Sequence, residues 1–190
     1  MKTIHVKVHV SGIVQGVGFR PFIHKQIDVH TLTGTVRNTA SGAELELEGE
    51  EAHVHKFIEE LWTKKPRLAI IESVETELQK DLAGFTDFRI IQSLADEEKN
   101  TLVSPDVCIC EDCLREMRDP NNRRYRYPFL NCTNCGPRFT IVKEVPYDRA
   151  RTTMAPFPMC EPCAGEYGDI EDRRYHAQPT CCTDCGPQLL

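Results

Sequence analysis

The stretch "SGIVQGVGFRPF", residues 11–22, decides how the first half of the chain is read. It places Gly12, Gly16 and Gly18 close together and follows them at once with Arg20 and Pro21. Glycine costs conformational entropy, so a run of it marks backbone that turns sharply or approaches something closely. Just before it, "IHVKVHV" alternates, with Ile4, Val6, Val8 and Val10 on one side and His5, Lys7 and His9 on the other. That is the pattern of a half-buried strand. Just after it, Phe19, Phe22, Ile23 and Ile27 recur at helical spacing. Pro21 suits the first helical turn, where its missing N–H is no loss, and Gly34 falls where that helix is expected to have ended. A glycine loop between a strand and a helix N-terminus can aim successive backbone N–H groups at an oxyanion, with the helix dipole adding to the attraction. Arg20 can add a two-pronged grip on phosphate. No Gly-Lys-Ser/Thr follows, so this is not a Walker A loop, and Pro21 stands where G-x-G-x-x-G needs its third glycine. A glycine turn beside a surface arginine is the simpler alternative, and these residues alone leave both open.

Working outward, "GTVRN" and "AELELEGE" read as two strands joined by a short turn at Thr39-Ala40-Ser41-Gly42. In "EEAHVHKFIEELWTKK", Val54, Phe57, Ile58 and Leu61 mark a second amphipathic helix. Strand patterns return in "RLAIIESVETEL" and "FTDFRII". The order β-α-β-β-α-β, with room for an extra edge strand, predicts an α+β ferredoxin-like sandwich with both helices on one face of an antiparallel sheet.

Composition changes near residue 91. All ten cysteines lie between Cys108 and Cys185, and six of the seven histidines lie before them. The break predicts a first domain at 1–91, a polar linker at 92–107 and a second domain at 108–190. The chain's start has no apolar leader run, and no segment approaches a membrane span. The expected location is a reducing cytoplasm, where clustered cysteines hold metal rather than form disulfides. A formal charge of −6 disfavours a broad nucleic-acid surface.

The cysteines come as four C-x2-C pairs: Cys110 and Cys113, Cys132 and Cys135, Cys160 and Cys163, Cys182 and Cys185. Such spacing predicts two four-cysteine zinc sites, with both ions structural because no coordination position stays open. A redox pair could explain one C-x2-C but not four. The half also repeats with a period of fifty: "CEDCLREMRDPNNRRY" matches "CEPCAGEYGDIEDRRY", and "CTNCGP" matches "CTDCGP". The repeats run at about 108–139 and 158–190. The simplest pairing gives one ion to each repeat, and a crossed pairing between repeats is the alternative. Neither repeat is large enough for a self-sufficient core, so zinc is expected to supply about 10 kcal/mol of folding free energy per site. Cys108, Cys181 and His176 fall outside the ligand sets. The repeated Arg-Arg-Tyr at 123–125 and 173–175 reads as a packing or docking element, or else as a nucleic-acid contact.

"VSGIVQGVGFR" and "GTVRNTASGAELELEGE" closely resemble the two signature stretches of the acylphosphatases, a family with this same sandwich. The resemblance implies that the backbone of Gln15, Gly16, Val17, Gly18, Phe19 and Arg20 holds phosphate, that Arg20 is the essential cation, and that Asn38 orients the attacking water. With the double cysteine module, the spacing 2-18-2-24-2-18-2 and the connector "PYDRARTTMAPFPMC" (146–160), nearly the whole chain resembles the N-terminal part of the HypF family, carbamoyltransferases of nickel-iron hydrogenase maturation. This second resemblance implies that carbamoyl phosphate is hydrolysed to phosphate and carbamate. It also implies that later ATP-using domains make carbamoyl adenylate, and that a cysteine of the partner HypE receives the carbamoyl group destined to become the metal's cyanide ligand. That family continues well past a second cysteine unit, so this chain is expected to be a fragment unable to complete the transfer alone. A stand-alone generic acylphosphatase, or a zinc-ribbon protein- or RNA-binding module with an inactive cradle, are the other readings.

Overall fold

A computed structural model describes residues 2–93 and 102–189; half of the expected linker, at 94–101, lies outside the described residues. The first half forms β1 (Thr3–Ile13), α1 (Phe19–His30), β2 (Thr33–Thr39), β3 (Gly42–Glu50), α2 (Glu51–Lys64), β4 (Ile70–Leu78) and β5 (Phe88–Ile90). The sheet runs β4-β1-β3-β2-β5, with antiparallel pairs except β5, which adds to the edge parallel to β2. This is the ferredoxin-like order with the extra edge strand. The alternation in β1 has the expected result: Ile4, Val6, Val8 and Val10 are buried. They share one core with Ile23 and Ile27 of α1, Leu45 and Leu47 of β3, and Phe57 and Leu61 of α2. Each such side chain contributes roughly 1.5–3 kcal/mol of burial.

Three details differ from the sequence reading. The first helix ends at Thr31, whose left-handed backbone (φ 54°) caps it, and Gly34 lies inside β2 rather than at the helix end. His5 is buried although it sits on the polar side of β1, because the segment after β4 folds back over that face. Its Nδ1 is 2.9 Å from the Asp81 carbonyl oxygen. Glu48 accepts the N–H groups of Ala83, Gly84 and Phe85 from the same segment. His24 lies one helical turn beyond Arg20, where the apolar spacing of the helix predicts a surface position, but it packs between Phe88 and Tyr175, with Nδ1 2.7 Å from the Tyr175 hydroxyl.

The cysteine half is made of short helices and turns. α3 (Glu111–Arg118) and α4 (Glu161–Gly168) occupy equivalent places fifty residues apart. Each starts directly after the first cysteine of a pair, so the second cysteine lies one turn in. The repeated Arg-Arg faces inward, between the repeats. Arg124 donates from two nitrogens to Glu166 (3.0 and 2.5 Å), and Arg123 pairs with the same carboxylate at 2.7 Å. In exchange Arg174 and Arg173 of the second repeat grip Glu116 of the first. Arg124 Nε donates to the Cys181 carbonyl and Arg174 Nε to the Asn131 carbonyl, again fifty residues apart. The Arg-Arg part of the motif is thus a reciprocal clamp. Its two tyrosines differ: Tyr125 is exposed, whereas Tyr175 is buried against α1 of the first half.

Candidate phosphate site and metal centres

The glycine loop ends at Gly18, which is the N-cap of α1 with φ 78°, and Gly16 has φ 70°. Both are left-handed conformations that side chains disfavour. Space is a second requirement. A Cβ on Gly16 would lie 2.7 Å from Pro137 Cβ and 2.8 Å from Tyr147 Cε1, and one on Gly18 would lie 3.1 Å from Thr133 Cβ. These neighbours belong to the cysteine half, which presses onto the loop. The glycines therefore serve both a backbone turn and a close approach between the two halves.

The turn leaves a row of free donors. Among the described residues, the N–H groups of Gly16, Val17, Gly18, Phe19 and Arg20 donate to no protein acceptor. Here the unpaired N–H groups are consecutive and at a helix N-terminus, on half-buried Gly16 and Gly18 and on buried Val17, Phe19 and Arg20, an arrangement suited to an anion. Arg20 follows them, 8% exposed, and donates from one nitrogen to Asp148 Oδ1 at 2.9 Å. The side chain of Gln15 ties the loop to its surroundings. Its Nε2 donates to the carbonyls of Thr39 and Gly42, both at 2.8 Å, and its Oε1 accepts the Tyr147 N–H at 2.7 Å. This tie brings the end of β2 to the loop, one residue past Asn38. Asn38 is 1% exposed, and neither atom of its amide has a hydrogen-bond partner among the described residues. An amide buried in that state calls for a water or a ligand group.

Arg20 borders two spaces. One, between the loop and the cysteine half, is about 20 Å³ and is lined by Gly16, Gly18, Thr133, Tyr147 and His176 among others. The other is an open cleft of about 380 Å³ that also reaches Asp148, Arg149 and His176. His176, with no place in the ligand sets read from the sequence, packs beside Tyr167 and Tyr175. Burial, and then the nearby Arg20 and His24, lower its pKa from 6.5 to about 4. The folded state thus binds this proton less readily than the unfolded chain. Stability from the neutral ring is complete above pH 6.5 and is lost as pH falls toward 4. His176→Gln is expected to flatten the decline in melting temperature across that window. Parallel declines for the two proteins would show that His176 protonation is not linked to folding.

The eight paired cysteines gather into two sets, Cys110, Cys113, Cys132 and Cys135, and Cys160, Cys163, Cys182 and Cys185. Each set belongs to one repeat, so the crossed pairing is not adopted. Within each set all four sulfurs lie within 4.8 Å of one another, with neighbouring Sγ atoms 3.6–3.9 Å apart. A tetrahedral ion with metal–sulfur bonds near 2.3 Å requires sulfurs about 3.8 Å apart, whereas a disulfide requires about 2 Å. The donors therefore fit a tetrathiolate ion. Without a cation, contact with Cys132 and Cys135, together with burial, holds the Cys113 thiol protonated far above its usual range. Arginines crossing from the opposite repeat donate to the sulfurs: Arg123 to Cys163 at 3.3 Å and Arg173 to Cys113 at 2.9 Å. Four thiolates around a dication carry a formal charge of about −2, which these guanidiniums offset. Cys108 is exposed and Cys181 buried, and both lie outside the sets.

Two family models match this chain: Acylphosphatase over residues 6–90, and the HypF finger over 109–142 and 159–190. A solved structure described as full-length HypF in the phosphate- and nucleotide-bound form superposes with a TM-score of 0.92 at 49% identity, covering 98% of this chain. The chain belongs to the HypF family. It is 50% identical over 146 residues to the probable carbamoyltransferase HypF of Methanocaldococcus jannaschii, covering 76% of this chain and 19% of that protein. It spans 25% of the full-length HypF structure, so it corresponds to the N-terminal part of those longer proteins. An acylphosphatase from Caldivirga maquilingensis matches at 40% identity over 89 residues, 93% of its own length. No helix among the described residues of this HypF-family chain is long and apolar enough to cross a membrane.

The structure brings the residues read from the sequence into two kinds of place. Gln15 to Arg20 form the loop with Asn38 close by, and the eight cysteines form the two sets. Three neighbours of Arg20 or its loop carry no signal of that role in the sequence: Tyr147, Asp148 and His176. Tyr147 and Asp148 lie in the quoted connector, but nothing in its sequence points to residue 20.

Proposed function

We propose that this chain is the acyl-phosphate-hydrolysing part of a HypF protein and that its substrate is carbamoyl phosphate. The observation that carries this reading is the run of five consecutive N–H groups, Gly16 to Arg20, with no protein acceptor among the described residues, ending at a guanidinium. In this reading the phosphoryl oxygens take those N–H groups and the free nitrogens of Arg20. Asn38 holds a water, which attacks and releases inorganic phosphate and carbamate. Acyl phosphates are activated, so positioning and charge stabilisation suffice without a covalent nucleophile. The phosphate-bound description of the 49% identical relative supports a phosphate ligand in the family. The two cysteine sets hold zinc in a structural role, in a cytoplasmic protein. In the longer relatives, the carbamate would pass to ATP-using domains for adenylation and then to a HypE cysteine.

The test is phosphate release by the 190-residue chain from carbamoyl phosphate and from acetyl phosphate. A higher kcat/KM for carbamoyl phosphate is expected. Equal values would favour a generalist acylphosphatase. Asn38→Ala is expected to lower kcat by roughly tenfold or more while leaving phosphate affinity near that of the unchanged chain, since it removes the orientation of the water. An equal loss in both would assign Asn38 to phosphate binding instead.

A further inference from the structure

Arg20, on α1, is paired with a carboxylate 128 residues away, on the connector between the two cysteine repeats. Guanidinium and carboxylate are both largely withdrawn from solvent, with side chains 9% and 25% exposed. The contact uses one nitrogen of Arg20 and leaves its other donors for the cradle. Asp148 is itself firmly held. The next residue, Arg149, receives a carbonyl grip from the second cysteine repeat: its Nη1 donates to Gln178 O at 2.7 Å and Thr180 O at 2.9 Å. Its Nη2 donates to Phe157 O at 2.7 Å, and its backbone N–H donates to Gln178 Oε1 at 2.8 Å. On the other side of Asp148, the Tyr147 N–H is fixed by Gln15 at the start of the loop. The carboxylate therefore stands on a segment anchored at both ends, and one of its anchors is the cysteine unit just before Cys182.

We infer that Asp148 is a positioning residue for the phosphate site, holding Arg20 in the orientation that meets the phosphoryl group. The cysteine module then has a role beyond supporting its own fold, because it supplies the carboxylate that completes a site otherwise built from the first half. The physical basis is preorganisation. An arginine side chain has many rotamers, and fixing one nitrogen in advance removes that ordering cost from ligand binding. Charge works against the inference, since a carboxylate beside the site repels an incoming phosphate. The two effects have opposite signs, so an experiment separates them. The inference rests on the phosphate-site reading above.

The experiment uses the 190-residue chain with its metal, and inorganic phosphate as the probe. Phosphate affinity is measured by calorimetry, kcat and KM on carbamoyl phosphate by phosphate release, and folding by thermal melting. Asp148→Ala is expected to weaken phosphate binding on the order of tenfold and to raise KM in parallel. Asp148→Asn keeps an oxygen acceptor without the charge and is expected to restore most of that loss. In an Arg20→Ala background, Asp148→Ala is expected to cost nothing further. A merely structural role would lower affinity equally in both backgrounds and would not be rescued by Asn. Unchanged or tighter phosphate binding by Asp148→Ala would overturn the inference, leaving the carboxylate as a competitor of the ligand, while the phosphate-site reading would stand. An unchanged chain that binds no phosphate and hydrolyses no acyl phosphate would overturn both.

Discussion

Glu166→Ala is expected to loosen the whole cysteine module, not only the repeat that carries it. The carboxylate takes two hydrogen bonds from Arg124 and an ion pair from Arg123, both of the other repeat. Burial opposes its ionisation, but these two guanidiniums prevail and lower its pKa to about 2. Arg124 is 1% exposed, so removing its partner strands a charge in the interior. Breaking a buried pair from one side costs about 3–5 kcal/mol, a large part of the stability available to a small module. Arg123, which also donates to Cys163, loses its anchor at the same time. For the chain loaded with zinc, the expected result is a lower melting temperature together with faster release of zinc to a colorimetric chelator from both cysteine sets. Zinc loss confined to the Cys160 set would show that the repeats are independent. Glu166→Gln, which retains an acceptor, is expected to lie between the two.

Arg20→Ala is expected to abolish most hydrolysis while leaving the fold intact. Removing one transition-state donor from a preorganised oxyanion site costs about 100- to 1000-fold in rate, and here the donor is a full charge at the end of a donor row. The charge it leaves unpaired, Asp148, has a side chain 25% exposed and keeps access to water, unlike the 1% exposed Arg124, so melting is expected to fall by less than in Glu166→Ala. Phosphate release measured beside thermal melting checks both halves of the statement. Near-normal release from the variant would remove Arg20 from the chemistry.

The fold of the first half was legible because each element carries its own period. Ile4 to Val10 alternate, and Phe19, Ile23 and Ile27 recur by helical turns, so local chemistry and final burial agree. The metal sets were legible for a similar reason: C-x2-C fixes two sulfurs within one turn, and the fifty-residue repeat pairs them. The parts that were not legible depend on contacts between distant segments. His24 looked like a surface residue until Tyr175 covered it, and His5 until residues 81–85 did. Asp148 lies 128 residues from Arg20, and no local pattern links them. The clamp was half legible. The repetition of Arg-Arg and Glu was visible in the sequence, but its exchange between repeats was not.

The same distinction applies to the glycines. Their clustering predicted a sharp turn or a close approach, and Gly16 meets both conditions at once: a left-handed backbone, and Pro137 and Tyr147 where a side chain would go. The glycine loop of this HypF-family chain is thus roofed by the cysteine half.

The most direct test of the phosphate site is a titration of the isotope-labelled, zinc-loaded chain with inorganic phosphate, followed through its backbone amide signals. The expected result is saturable movement of the Gly16, Val17, Gly18, Phe19 and Arg20 amides, lost in Arg20→Ala. Amides in this loop that stay still while phosphate saturates elsewhere, or that do not respond at all, would contradict it.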